Sequence, residues 1–254
     1  HWEQLVAANF DYVFIMQSLN HDFNPRRLER YLTLAWQSGA RPVVVLTKAD
    51  LEEDYMQKLQ EAAAIARTVD VIAVSAKTGY GLEYLQPYME PGKTIVFLGS
   101  SGVGKSSLVN ALAGQDMMAV NSIREDDSKG RHTTTHRQLI MLPCGAMIID
   151  TPGMRELGMW DVTDGLGETF SDVEQYFTQC RFSACRHQNE PGCRVKAALE
   201  NGELSQERWK SYLKLKKEAR YTASREVYLK NQQMKAKGRS RTEKQKGKNS
   251  GAYR

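Results

Sequence analysis

Cysteine is scarce in this chain: four residues in 254, three of them within fourteen positions of one another. So few excludes the disulfide framework that staples small secreted domains. No apolar run reaches the roughly 18–20 residues that a membrane-spanning helix needs, and no leader-like segment opens the chain. Seven prolines and nineteen glycines are too few for a collagenous or low-complexity sequence. The chain starts at His1 rather than at methionine, and the expectation is that a further N-terminal region precedes it.

What remains has a globular composition with a lopsided charge. Hydrophobic residues make up 41% and charged residues 26%, which suits one large domain with a small one, or two modest ones. The net charge is +5, yet residues 230–254 hold nine Lys or Arg and one Glu, leaving about −3 on residues 1–229. A basic end on a slightly acidic body suits a polyanionic partner such as RNA; the plain alternative is a solvated tail that aids solubility.

Strand-like and helix-like segments alternate. Asp11–Leu19, Pro42–Leu46, Val71–Val74, Thr94–Leu98 and Ala146–Ile149 are apolar, β-branched runs of strand length. Asn24 precedes Pro25 as a cap before a helix whose Leu28, Tyr31, Leu32 and Ala35 share one face. Glu52–Thr68 and a segment from Lys105 to Leu112 are expected helices. The pattern predicts a parallel α/β sheet with its ligand site at the strands' carboxyl ends. Gln115–Thr135 is long, polar and aperiodic, as functional loops often are. Beyond Trp160, helices are expected over Arg194–Glu200 and Gln206–Ala219, with Trp209, Tyr212, Leu213 and Lys216 on the apolar-edged face of the second. The expected units are an α/β domain over 1–160, a smaller helical domain over 161–229 and a basic, unstructured tail over 230–254.

Three motifs stand at expected strand ends. Gly99-Ser100-Ser101-Gly102-Val103-Gly104-Lys105-Ser106 is a complete phosphate-binding loop. Its glycines let backbone N–H groups reach phosphate oxygens, and the helix that follows presents its positive end. Lys105 is expected on the β- and γ-phosphates and Ser106 on Mg²⁺, with Ser107 continuing the helix start. Thr47-Lys48-Ala49-Asp50 is a guanine-reading sequence in which Asp50 accepts both N–H groups of the guanine edge, a pairing adenine does not offer. The Lys48 stem covers the base, and Ser75-Ala76-Lys77 adds a backbone N–H to the guanine oxygen. Thr47 stands where Asn is usual, keeping a hydroxyl and losing an amide. Asp150-Thr151-Pro152-Gly153 supplies an acid toward Mg²⁺ and, at Gly153, an N–H that senses the γ-phosphate.

Met154 follows Gly153, and a thioether cannot orient a water molecule as the more usual glutamine does. Intrinsic hydrolysis is therefore expected to be slow unless another group acts. His132 is the candidate for positioning the water, with His136 behind it. Thr133, Thr134 and Thr135 end the long loop, and Thr134 is the candidate Mg²⁺ ligand when GTP orders it. An ATPase or a P-loop kinase is disfavoured by Asp50. A non-hydrolysing RNA-binding module is disfavoured by the completeness of the phosphate loop and Asp150.

Cys180, Cys185, His187 and Cys193 form a C-x4-C-x-H-x5-C set of three thiolates and an imidazole, which closes a tetrahedral structural zinc site. Cys144 falls in a strand-like run and is expected in the core.

The order of the motifs is their most telling property: the guanine reader comes first, the phosphate loop second and the D-T-P-G sequence last, as in a circularly permuted GTPase. Together with the S-A-K-T-G, G-R-H-T-T-T-H-R and zinc-ligand sequences, this series resembles the RsgA family of ribosome small-subunit-dependent GTPases over roughly residues 5–220. The resemblance implies GTP hydrolysis late in assembly of the small ribosomal subunit, with rRNA as partner and activator. It also implies an OB-fold ahead of the GTPase domain. A monomer in the cytoplasm, without a membrane partner, is expected. Permutation directs the γ-phosphate sensor through residues 154–160 toward the zinc-bearing segment, so the nucleotide state is expected to move that segment as a lever.

Overall fold

The computed structural model describes residues 9–20, 22–118, 138–150 and 163–222. Its centre is a six-stranded sheet of β1 (Tyr12–Ser18), β2 (Arg41–Thr47), β3 (Val71–Ala73), β4 (Thr94–Gly99), β5 (Gln138–Met141) and β6 (Met147–Asp150). The spatial order is β3-β2-β1-β4-β6-β5. All neighbours are parallel except β5 and β6. The sheet is thus mixed rather than wholly parallel, because residues 138–150 turn back on themselves in a hairpin. Leu142 and Ala146 close its turn with a 2.8 Å backbone bond. Cys144 lies in that turn and is exposed, which corrects its expected place in the core. β5 alternates as an edge strand does: Ile140 is buried while Leu139 and Met141 face outward.

The parallel strands are apolar on both sides because helices cover both faces. Phe14, Met16, Val43, Val45 and Phe97 pack on one face with Leu108 and Val109 of α3 (Lys105–Ala113). Val13, Ile15, Val44 and Leu46 pack on the other with α1 (Pro25–Gln37) and α2 (Met56–Ala66). The α1 start follows its sequence: the Asn24 side chain accepts from the Arg27 N–H, Pro25 fills the first turn, and Leu28, Tyr31, Leu32 and Ala35 are buried. Buried Gln17 fixes that start by exchanging two hydrogen bonds with the Asn24 backbone, at 2.8 and 3.1 Å. The second expected helix begins at Met56 rather than Glu52; residues 49–51 form a short 3-10 turn.

The carboxyl-terminal part is a small helical cluster of α4 (Thr163–Thr169), α5 (Ser171–Glu174), α6 (Arg194–Glu200) and α7 (206–222). Its own core holds Phe170, Val173, Val195, Ala198, Tyr212 and Leu215. Leu215, not Leu213, carries the buried face of α7, and Leu213 is exposed. One residue decides this, because the face that Tyr212 and Leu215 share leaves Leu213 on the far side of the helix.

This cluster docks on α1. Gly165 lets α4 approach closely, since a Cβ there would lie 2.1 Å from the Thr33 carbonyl oxygen. The Gly165 N–H donates to Gln37 at 3.0 Å, and the Thr33 and Thr169 hydroxyls meet at 3.2 Å. Arg208 of α7 completes the seam: it donates to Glu29 of α1, to both carboxylate oxygens of Asp172 and to the Thr169 carbonyl at 2.7–3.1 Å, and it stacks 4.2 Å over the Phe170 ring.

Candidate functional site

The sheet places three of the sequence motifs along one edge. Thr47 ends β2, Gly99 ends β4 and Asp150 ends β6, while Ser75 follows β3 by two residues. β1 lies between β2 and β4: the chain runs outward from β1 through β2 to β3, then crosses back to β4 on the other side of β1. Such a switch point opens a crevice at the carboxyl ends of the strands, where ligands of α/β proteins sit.

Within the phosphate loop, Gly104 has φ +102°, a backbone state closed to other residues without strain, and α3 starts at the next residue. The Lys105 ammonium donates to the Gly99 and Ser100 carbonyls at 3.0 and 2.9 Å. This holds the positive charge along the loop whose N–H groups would receive phosphate. Ser100 donates to Asp22 at 2.7 Å, and Asp22 pairs with Arg27 at 2.9 Å. The turn between β1 and α1 is therefore fastened to the loop.

The candidate guanine-reading residues touch this loop directly. The Thr47 hydroxyl is buried and donates to the Val103 carbonyl at 2.6 Å. This hydroxyl thus ties the segment 47–50 to the phosphate-loop motif. Lys48 has φ +62°, which turns the chain so that Asp50 follows on the 3-10 turn. Buried Ser75 donates to Asp50 Oδ1 at 2.7 Å and accepts the Thr78 N–H at 3.2 Å. The Ala49 N–H donates to Val74 O at 3.1 Å, so the loops after β2 and β3 are laced together. Asp50 is otherwise exposed and presents its carboxylate outward, and Ala76 and Lys77 lie on the turn beside it.

Ser101 and Gly102 are exposed, while Ser106 and Ser107 occupy the first turn of α3. The candidates His132, His136, Thr134 and Gly153, together with Met154, lie outside the described residues, as does the Asp150 side chain.

The four zinc candidates come together in space. Their ligand atoms all lie within 4.8 Å of one another. His187 Nδ1 is 3.6 Å from Cys180 Sγ and 3.5 Å from Cys193 Sγ. Bond lengths of about 2.3 Å to sulfur and 2.0–2.1 Å to nitrogen at a tetrahedral angle give an S···N separation of about 3.6 Å, which these two pairs match. Nδ1 is the nitrogen facing the sulfurs. The imidazole is stacked on Phe177 at 4.4 Å and meets Trp209 edge-on at 6.0 Å. Burial, then the nearby Lys216 ammonium, lowers the His187 pKa and so favours the neutral imidazole that metals bind. Burial raises the Cys180 thiol, but the N–H groups of Arg194 and Val195 together with the Cys185 and Cys193 thiols draw its pKa down on balance. Burial pushes Cys185 up to about 11, against one N–H donated from His187.

With this geometry in view, comparison with known proteins decides the family. The model of the RsgA GTPase family matches residues 1–160. The chain belongs to the RsgA GTPase family. It is 56% identical over 218 residues to a small ribosomal subunit biogenesis GTPase RsgA 2 of Lactiplantibacillus plantarum, covering 86% of this chain and 61% of that protein. It is 32% identical to YjeQ from Thermotoga maritima, whose crystal structure superposes with a TM-score of 0.61 over 82% of this chain and 70% of that one. YloQ, described as a circularly permuted GTPase, is 31% identical with a TM-score of 0.60, over 84% of this chain and 69% of that one. The fold is thus the permuted α/β GTPase fold, followed by a small helical part with its Cys3His cluster. The chain spans less than two thirds of the length of the curated relatives it matches.

Sequence reasoning missed two residues that brace this site, Gln17 and Asp22. A buried Gln at a strand end or an Asp before an Asn cap carries no pattern that marks it; the contacts are tertiary.

Proposed function

We propose that this chain binds GTP at the carboxyl edge of the sheet and hydrolyses it to GDP and phosphate in the course of small-subunit ribosome maturation. The hydrogen bond from Thr47 to Val103 carries this reading. It joins the guanine-reading segment to the phosphate loop, so that one nucleotide can span both. Asp50, oriented by Ser75, reads the guanine edge, with Lys48, Ala76 and Lys77 around the base. Residues 99–107 wrap the phosphates, and Lys105 offsets charge that builds up on the leaving group.

Ser106, Thr134 and Asp150 supply hydroxyl and carboxylate oxygens suited to Mg²⁺, which when bound neutralises phosphate charge. Gly153 reads the γ-phosphate, and His132 orients the attacking water. The Cys3His cluster holds one structural Zn²⁺, for which its donor set and spacing are suited. The working division is a GTPase domain over 1–160, a zinc-bearing domain over 161–229 and a basic tail over 230–254 that contacts rRNA. The named relative's role in small-subunit biogenesis supports that partner, and the protein acts as a cytoplasmic monomer. No helix among the described residues is long and apolar enough to cross a membrane.

Two assays test the reading. Asp50→Asn should exchange GTP preference for XTP preference; unchanged use of GTP removes the guanine assignment. Hydrolysis measured with and without 30S subunits should rise with the subunit, and a flat response removes the subunit as activator.

A further inference from the structure

Between the metal ligands Cys185 and Cys193 the chain makes a tight loop, and His187 sits in it with φ +59°. That conformation is unfavourable for a residue with a side chain, so something must hold it. The Glu190 carboxylate does so from within the loop. One oxygen accepts the Arg186 N–H at 3.0 Å; the other accepts those of Gln188 and Asn189 at 2.9 and 3.1 Å. These three donors flank His187 on both sides in sequence. Carboxylates with several such donors remain ionised under acid conditions, and the Glu190 pKa is drawn down to about 2, chiefly by the Arg186 N–H. Glu190 is not one of the four clustered ligands.

We infer that Glu190 is a positioning residue of the metal centre: its carboxylate gathers the backbone N–H groups on both sides of His187 and pre-forms the loop that aims Nδ1 at the three sulfurs. The inference rests on the proposal that the Cys3His cluster binds Zn²⁺. Without the carboxylate the three N–H groups turn to water and the left-handed His187 loses its support. Metal binding must then supply the cost of ordering the loop, and affinity falls accordingly.

The test uses the full chain loaded with one equivalent of Zn²⁺, as wild type, Glu190→Gln, Glu190→Ala and Glu200→Gln. Competition with a chromophoric chelator measures affinity, and Co²⁺ substitution reports the ligand set through its thiolate charge-transfer and d–d bands. Glu190→Ala should weaken Zn²⁺ by roughly 10- to 100-fold. Glu190→Gln, which keeps one acceptor oxygen and loses the charge, should fall between it and wild type. Glu200→Gln, an exposed site at the end of α6, should match wild type. The Co²⁺ spectrum should be unchanged in all four, because the ligands are the same. Wild-type affinity in both Glu190 variants overturns the inference, and so does a Co²⁺ spectrum showing a lost oxygen ligand. If Glu190→Ala fails to fold, Glu190→Gln carries the decision. A wild-type chain that takes up no metal overturns the metal reading itself, and the first titration shows this before any variant is compared.

Discussion

Replacing Arg208 by Ala should detach the carboxyl-terminal helices from the sheet domain. The Arg208 side chain is only 11% exposed, and its partners Glu29 and Asp172 are 6% and 14% exposed. The substitution leaves two nearly buried carboxylates without their cation, and the Thr169 carbonyl loses a charged donor. Removing one member of a buried pair costs about 3–5 kcal/mol, because the remaining charge is uncompensated. Arg67, 3.8 Å from Asp172 and half exposed, offsets a part of this. The lost stacking on Phe170 adds about 0.5–2 kcal/mol. A net loss of about 4 kcal/mol is therefore expected. At about 2–4 °C per kcal/mol for a chain of this size, the melting temperature should fall by roughly 8–16 °C. Differential scanning calorimetry measures the shift, and a cycle with Glu29→Gln isolates the pair. Arg208→Lys keeps the charge but not the fork and should lose less. A shift below about 2 °C for Arg208→Ala, or a coupling energy under about 0.5 kcal/mol, would refute the claim that this cation holds the seam.

Other outcomes follow from single contacts. Thr47→Val keeps the shape but leaves the Val103 carbonyl without its 2.6 Å donor; GTP affinity, read by fluorescent-nucleotide titration, should drop by about tenfold, in line with about 1–3 kcal/mol for an unpaired buried acceptor. Gly165→Ala pushes a methyl into the Thr33 carbonyl, and the melting temperature should fall by an amount matching at least about 1–3 kcal/mol of overpacking. The Asp11 carboxyl lies below its ordinary pKa of 3.8 because it accepts the Thr94 N–H and then the Lys93 ammonium. Its contribution is therefore present above that ordinary value and lost as pH falls through the lower folded one. Urea unfolding of Asp11→Asn should show less stability than wild type at pH 6 and a smaller difference near pH 3. Metal uptake must displace the proton of Cys185, held up to about 11, so Zn²⁺ affinity should rise with pH across the neutral range.

Much of this was legible in the sequence because the signals were local. Five apolar runs gave five parallel strands, and Asn24-Pro25 marked a helix start that the cap geometry bears out. The zinc candidates were readable because ligand spacing is a property of a short segment. β5 was not legible: Leu139 and Met141 point outward from an edge strand, so its four residues carry no continuous apolar run. Cys144 was misplaced because the apolar residues on both sides of it dominated the reading, although Pro143 and Gly145 mark the turn in which it lies. α4 and α5 are short, and two glycines in α4 hide its helicity. Gly165 is there for the contact with α1 rather than for local preference, and no window of sequence shows that partner.

The docking seam also bears on how a nucleotide could be felt by the helical part that carries the Cys3His cluster. The sequence suggested one link, through residues 154–160, which lie outside the described residues. The structure contains a second, and it is α1. At its start, Asp22 accepts a hydrogen bond from Ser100 of the phosphate loop and pairs with Arg27. Along its body, Glu29, Arg30 and Thr33 hold Arg208, Glu218 and Thr169 of the carboxyl-terminal helices. One rigid element is thus gripped by the phosphate loop at one end and by the helical cluster along its side. A ligand alters a distant segment only by the difference in its contacts with two arrangements. The Ser100–Asp22 bond is the contact on this route that phosphate binding would rearrange, because both groups belong to the loop edge. Hydrogen exchange over 163–222 should therefore differ between GDP and a GTP analogue, and Asp22→Ala should shrink that difference while nucleotide still binds. Equal protection in the two nucleotide states would mean that α1 is a static strut. A full-sized difference in Asp22→Ala would assign the signal to residues 154–160 alone.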